Sequence, residues 1–548
     1  MFDLRTEPWI PWLHRSGKVR YGAVAHVLTK GDDPVVGVAF PRADLNAAFL
    51  EFAIGLVSAA VSVVDEDEWL EIWESTLTVE WLQERLDRLP AAFDLDGDNG
   101  PAVLQDYDPA ALAEKDPLPV ERLFIDSPGE QGVELNTTLF VKPGRFDALS
   151  RSIAAAAIIT VQAYSPAGGA GNRTSIRGGG PLTTLVDPRV DASSEPLWEL
   201  LWFNAETREQ WRKRVDLDSP EGDTLRYPWL APTRTSEKGQ LPVTPVDADP
   251  LQAYFGMPRR LRLVFGDQPA RCALTGLMEE RPVVGVRSRN YGVNYTGWVH
   301  PLSPYYPLAS GELSAMHPQP TGFQWRDWVD FALLRPEAKR RPAKVVVAAT
   351  ERLRAIGVDE SRLLVFGYDC DNAKARGWQQ ATPPFFRGDA SERQWLATLA
   401  EELGAAVDAA GFALASAIVT ALYGDRDDTP RVGDPYRQRL WAITEPLFFS
   451  ALSDARQAGL RLETVSEVRR SFYGPLRMAV LDLFDEAAPV GSMNVMGVRR
   501  IAKASHYLEG SLAGYGKTGA ALYTALNLTP PEVPKGRSKK GAGKGATK

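Results

Sequence analysis

The 548-residue chain has only two cysteines, Cys272 and Cys370, and five histidines, His14, His26, His300, His317 and His506. Two thiols build neither a disulfide framework nor a four-thiolate zinc site, and no histidines pair at metal-ligand spacing or form H-E-x-x-H. The expectation is a cytoplasmic protein with no metal and no cofactor. No run of eighteen or more apolar residues occurs, and acidic residues and a proline interrupt Met1–Ile10, so neither a membrane span nor a signal peptide is expected. Excess positive charge is missing too. The net charge of −8 excludes a surface coated in positive potential, although a local basic groove remains compatible with it. Catalytic signatures are equally scarce. There is no G-x-S-x-G, and Gly516-Lys517-Thr518 resembles the end of a P-loop only superficially, because Ser511 stands where the first glycine belongs. Carboxylate pairs such as Asp427/Asp428 and Glu279/Glu280 fall in turns or on charged faces, where solvation accounts for them.

What the chain has instead is glycine, proline and tryptophan: 46, 41 and 15 residues respectively. Its length calls for more than one core. The fold class expected is α+β, a large mixed N-terminal domain over 1–380 with many loops, followed by a C-terminal four-helix bundle over 381–528. A basic tail, 529–548, carries Lys535, Arg537, Lys539, Lys540, Lys544 and Lys548 among Gly and Pro and is expected to be disordered.

In the N-terminal part, polar–apolar alternation predicts a short strand docked by Trp9 and Trp12. Helices are expected over Asn46–Val63, Glu66–Leu89 (Asp65 as N-cap) and the alanine-rich Ser150–Ala163. Val19–Leu28 is expected as a second strand with a turn into a helix, and further strands at Glu121–Ile125, Leu139–Val141, Leu182–Val186, Leu261–Phe265, Pro282–Val286, Lys344–Ala349 and Leu363–Phe366, the last leaving through a polar turn, Gly367–Asn372. The bundle helices are Glu392–Leu422, Tyr436–Ala458, Thr464–Ala487 and Val498–Leu526, separated by Gly/Pro turns.

One stretch stands apart. Tyr164–Val186 holds Gly168, Gly169, Gly171, Gly178, Gly179 and Gly180 with Arg173 and Arg177, and has almost nothing to bury. Glycine permits φ > 0 and lets backbone N–H groups approach a ligand closely, while arginine suits phosphate. Taken alone, such a stretch is most simply a surface connection; its alternative is a backbone-mediated contact to a polyanion. Arg259, Arg260, Arg262, Arg281, Arg287 and Arg289 lie beside Tyr291 and Tyr295, a basic–aromatic mixture that suits nucleic acid as well as a solvated hairpin.

Several segments together resemble the large subunit (CasA) of the type I-E CRISPR Cascade complex. They are L-R-T-E-P-W-I-P at Leu4–Pro11, F-V-K-P-G at Phe140–Gly144, R-G-G-G-P-L-T-T-L-V at Arg177–Val186 and W-V-H-P-L-S-P at Trp298–Pro304. The resemblance implies a subunit without catalytic activity that recognises the PAM in double-stranded target DNA through the minor groove. It also implies that the subunit promotes strand opening for crRNA pairing and helps recruit a helicase-nuclease. Partners implied are target DNA, crRNA, the other Cascade subunits and that nuclease, with no membrane. By the same resemblance Gly168, Gly169, Ala170, Gly171, Asn172 and Arg173 form the PAM-reading loop. Arg281, backed by Arg287 and Arg289, takes the place of the family's lysine finger. Asp371 and Asn372 occupy the strand-separation wedge, where the family has glutamine, and Asn136, Thr137 and Thr138 lie in the complex- and crRNA-docking loop. Some relatives carry a cysteine cluster; only Cys272 is left here, implying no zinc. The alternative is a stand-alone nucleic-acid-processing enzyme that uses the 127–187 loops as a pocket.

Overall fold

The computed structural model describes residues 1–529 except 91, 98–99, 114–115, 140, 170, 215–221, 334–339, 372–373, 425–430, 460 and 490–494. The basic tail from 530 onward lies outside the described residues. The chain forms two compact units, one of Met1–Phe323 with Asp330–Gly388, the other of Gln324–Val329 with Asp389–Lys548.

In the first unit, Ile10–His14 pairs antiparallel with Val19–Gly22 on one side and Val35–Val38 on the other. Trp9 and Trp12 dock this sheet as the alternation predicts. Both are buried edge-on to Phe49, and their indole N–H groups donate to the Leu4 and Ala23 carbonyls. Phe49 belongs to the helix Ala43–Val61, which packs against the helix Arg151–Tyr164. The run Ala154–Ala157 is fully buried there, small side chains letting the two helices approach closely. Ala43–Val61 and Ala390–Tyr423 have the length and apolarity of membrane spans, and in both cases much of that surface is spent on packing.

The segment expected as one helix over Glu66–Leu89 is two, Glu66–Glu74 and Val79–Asp87, because Thr78 caps a new N-terminus through the Trp81 N–H. Asp65 is the N-cap of the first, as expected. Trp69 and Trp202 stack at 5° and exchange indole N–H bonds to each other's carbonyls, and Trp198 continues the stack.

The longest strand, Glu360–Asp371, pairs antiparallel with Thr183–Asp187, Lys374–Ala381 and Pro384–Phe386. The residues expected as a polar turn, Gly367–Asp371, therefore continue the strand. A second sheet orders Leu118–Pro119, Val283–Arg289 and Arg260–Phe265. Two expected strands are helical. Lys344–Ala355 is an α-helix in which Val345, Val346, Ala349 and Leu353 are buried at helical spacing, tertiary packing overriding the β-preference of its valines. Val120–Leu123 is a 3₁₀ turn. Leu139 and Val141 lie in no strand.

The second unit is helical. Ala390–Tyr423, capped by Asp389, packs against each of Asp434–Ile443, Glu445–Gln457, Leu462–Ala487, Val495–Leu512 and Gly516–Ala525. The described residues thus hold six helices where four were expected. Tyr436–Ala458 is interrupted at Thr444, followed by Pro446, and Val498–Leu526 at Gly514, whose φ is 92°. Trp325 stacks on Phe448 and donates to the Trp441 carbonyl, anchoring Gln324–Val329 in this unit.

Candidate nucleic-acid interface

The helix Arg151–Tyr164 ends at Ser165, and the chain turns out into the glycine stretch. Gly169 and Gly171 have φ of 84° and 77°, values that L side chains rarely adopt. The turn closes on itself: the Gly168 N–H donates to the Asn172 carbonyl, the Asn172 N–H donates to the Gly169 carbonyl, and the Asn172 amide donates to the Gly168 carbonyl at 2.7 Å. Ala167, Gly168 and Gly169 are exposed, and Ala170 lies outside the described residues.

Three segments hold this turn in place. The Tyr291 N–H donates to the Gly171 carbonyl at 2.7 Å, and the Ser236 N–H donates to the Tyr291 carbonyl at 3.2 Å. Arg173 donates to the Ser236 hydroxyl (2.8 Å) and carbonyl. Tyr291 itself sits at φ 66°, an uncommon backbone for a tyrosine, and that bend brings its N–H to Gly171. At the base of the turn, Arg259 donates to the Pro166 carbonyl and exchanges backbone–amide bonds with Gln162. Burial, with like charge from Arg122, pushes the Arg259 guanidinium down to about 10, so it remains cationic at neutral pH beneath the exposed glycines.

Gly178–Gly180 do a different job. They return the chain to Thr183–Asp187, and a Cβ on Gly180 would lie 2.5 Å from the Tyr368 carbonyl oxygen. Arg177, offered above as a phosphate ligand, is spent internally: its guanidinium pairs with Glu51 at 2.6 Å, the side chains being 1% and 6% exposed. The Thr183 and Ser303 hydroxyls both accept from its Nη1. Burial acts to lower the Arg177 pKa, but the Glu51 carboxylate outweighs it and the net shift is upward.

The arginine-rich sheet divides its charges. Arg260 and Arg262 stand opposite Arg289 and Arg287 in register. Arg260 is buried against Asp106, and Arg262 donates to the Gly100 and Asp106 carbonyls. Arg281 pairs with Asp96 at 2.9 Å and lies over the Phe265 ring. It precedes Val283–Arg289, while Tyr291 follows it. A seven-residue strand is about 20 Å long, so Arg281 and the glycine turn sit at opposite ends. Arg289 and Asn290 are exposed beside the turn, with Arg287 half-buried behind them.

Asp371 ends the first strand of the long hairpin, opposite Lys374; Asn372 lies outside the described residues. Arg376 binds Asp369 at 2.7 Å and reaches Asp371 at 3.6 Å, so the Asp371 charge is partly offset.

A family model described as CRISPR-associated protein Cse1 matches residues 3–483. The chain belongs to the Cse1 family. The resemblance to the Cse1/CasA large subunit read from the sequence thus stands. The fold is shared with solved structures at low identity. Thermobifida fusca Cse1 has a TM-score of 0.68 and 19% identity, with 96% of this chain and 98% of that one covered. Thermus thermophilus CasA has a TM-score of 0.62 and 18% identity, with 93% and 100% covered. A chain of a CRISPR RNA-guided surveillance complex has a TM-score of 0.64 and 17% identity, with 93% and 99% covered. Among curated protein sequences none matches.

In this Cse1 chain, residues 126–138 contain a short helix, Glu130–Glu134. Asn136 follows it at φ 50°, and the Thr137 N–H donates to the Gly132 carbonyl. Asn136 and Thr137 are exposed and Thr138 is half-buried, beside the outward-facing Val133, Leu135 and Leu139. Asp126 is tied to Arg42 at 3.0 Å. Cys272 is buried and unpaired, and no metal-binding cluster occurs among the described residues.

Sequence reasoning missed Glu51, Ser236 and the latch made by Tyr291. Glu51 had a signal: it is the one charged residue in the stretch Ala47–Val63. Ser236 had none, being an ordinary residue in an irregular segment.

Proposed function

We propose that this Cse1 chain is the large subunit of an RNA-guided surveillance complex and reads the PAM of double-stranded target DNA with the turn Gly168–Arg173. The observation that carries this is an exposed glycine turn held at positive φ by Tyr291, Ser236 and Arg259. The minor groove is only about 6 Å wide and offers a degenerate code. A turn in which Gly168, Gly169 and Gly171 carry no Cβ, braced before binding, fits such a groove and brings backbone N–H donors near the acceptors on its floor. Arg289, with Arg287 behind it, adds positive charge beside the turn for the flanking phosphates, whereas Arg281 contributes through the sheet. Asp371, at the end of the first hairpin strand, supplies with Asn372 the wedge that starts strand separation, and the loop with Asn136, Thr137 and Thr138 docks the subunit and the crRNA. Guide pairing then reads the remaining sequence, and the subunit takes part in recruiting the helicase-nuclease. It has no catalytic role of its own.

The test uses the assembled complex and a duplex library randomised beside a fixed, guide-matched target. Enrichment of particular flanking base pairs, weakening as salt rises, is expected. Equal recovery of every flanking sequence overturns the reading.

A further inference from the structure

The glycine stretch and the long hairpin approach so closely that there is no room for a Cβ at Gly180 or Gly367. Gly180, at φ 62°, would place a Cβ 2.5 Å from the Tyr368 carbonyl oxygen and 2.7 Å from Cys370 Sγ. From the other side, a Cβ on Gly367 would collide with the Pro181 carbonyl and lie 2.9 Å from Pro318 Cγ. The two arms of the glycine stretch also touch: a Cβ on Gly179 would sit 2.7 Å from Pro166 Cα. The strand that leaves the stretch pairs with the first hairpin strand, Thr183 opposite Phe366. The segment after Leu313–Ala315 completes the junction. His317 packs against Gly178, and Gly322, at φ 73°, faces Gln379 on the second hairpin strand. At the foot of the turn, the Tyr164 ring meets Trp378 edge-on, 5.5 Å between centroids.

We infer that the reading turn and the strand-opening hairpin form one rigid body, in which Gly180 and Gly367 are positioning residues that set where the hairpin tip stands relative to the PAM. The inference rests on the reading under Proposed function. Backbone packed on backbone has no rotamers to yield, so a shift of the turn on the DNA is transmitted to the hairpin rather than absorbed. Neither glycine touches DNA in this scheme; each fixes a distance.

The experiment compares native complex with Gly180→Ala, Gly367→Ala and Cys370→Leu. The last enlarges the hairpin side of the contact without altering a glycine, which keeps the test open if an alanine variant fails to fold. Cys370→Ser is the conservative control. PAM-dependent binding is measured by duplex retention, and opening by fluorescence of a 2-aminopurine placed next to the PAM. The expected result is binding within about threefold of native, opening at least tenfold slower, and native behaviour on a target already unpaired beside the PAM. Cys370→Ser should open DNA normally. Opening at the native rate in folded variants overturns the inference, as does a loss that the pre-opened target does not restore. Failure of the underlying reading is separable, because flanking-sequence preference would then be absent in the native complex itself.

Discussion

Replacing Gly169 by asparagine separates what the turn needs for folding from what it needs for its ligand. Its φ of 84° favours glycine, and a Cβ built there meets no atom of the protein within 4 Å. The left-handed region costs an ordinary L residue about 1–2 kcal/mol, and asparagine less, because it visits that region routinely. Folding stability should therefore fall by under about 1 kcal/mol. The open space around Gly169 is where the proposed reading puts the floor of the minor groove, and an asparagine side chain would fill it. Each base pair read is worth about 1–3 kcal/mol, so losing one such contact lowers PAM-dependent affinity roughly 5- to 150-fold. The assay is retention of guide-matched duplexes with and without the PAM by assembled complexes, alongside thermal melting of the isolated subunit. The expected outcome is a selective loss on the PAM duplex with a near-native melting temperature. Native affinity in a folded variant refutes the reasoning, and so does an equal loss on both duplexes.

Arg177→Met should destabilise the first unit by about 3–5 kcal/mol in urea unfolding, since it leaves the Glu51 carboxylate buried without its cation; a change below about 1 kcal/mol would contradict the assigned pairing. Glu199 is pushed up to about 6, by burial first and then by Glu195. Its folded value exceeds its unfolded one, so the associated stability is complete below about pH 4.5 and is lost as pH rises through 6. Melting temperature measured across that window should show this decline in the native protein and not in Glu199→Gln.

The features legible in the sequence are those set by neighbours along the chain. Alternation around Trp9 and Trp12 marks a docked strand, the alanine run marks a closely packed helix, and clustered glycines mark turns at positive φ, because each rests on local backbone geometry. The glycine stretch divides by the same logic: Gly168 and Gly169 stay exposed, Gly171 is half-buried, and Gly178–Gly180 return the chain to its strand. Where local preference was weak or opposed, packing decided. Lys344–Ala355 is a helix despite its valines because its buried positions recur at helical spacing, and the long segments of the second unit break at Thr444 and Gly514.

The sequence by itself determined the family motifs, the glycine turn, the alanine helix and the helical character of the C-terminal region. Only the tertiary structure decided which arginines face outward. Arg177 is neutralised by Glu51 126 residues away, Arg260 by Asp106 154 residues away, and Arg281 by Asp96 185 residues away. Tyr291 likewise meets Gly171 only in three dimensions, and Trp325 joins the second unit from within the sequence of the first. The physical reason is that turn formation is written in the conformational range of single residues. The partner of a charge is instead chosen by which distant segments the core brings together.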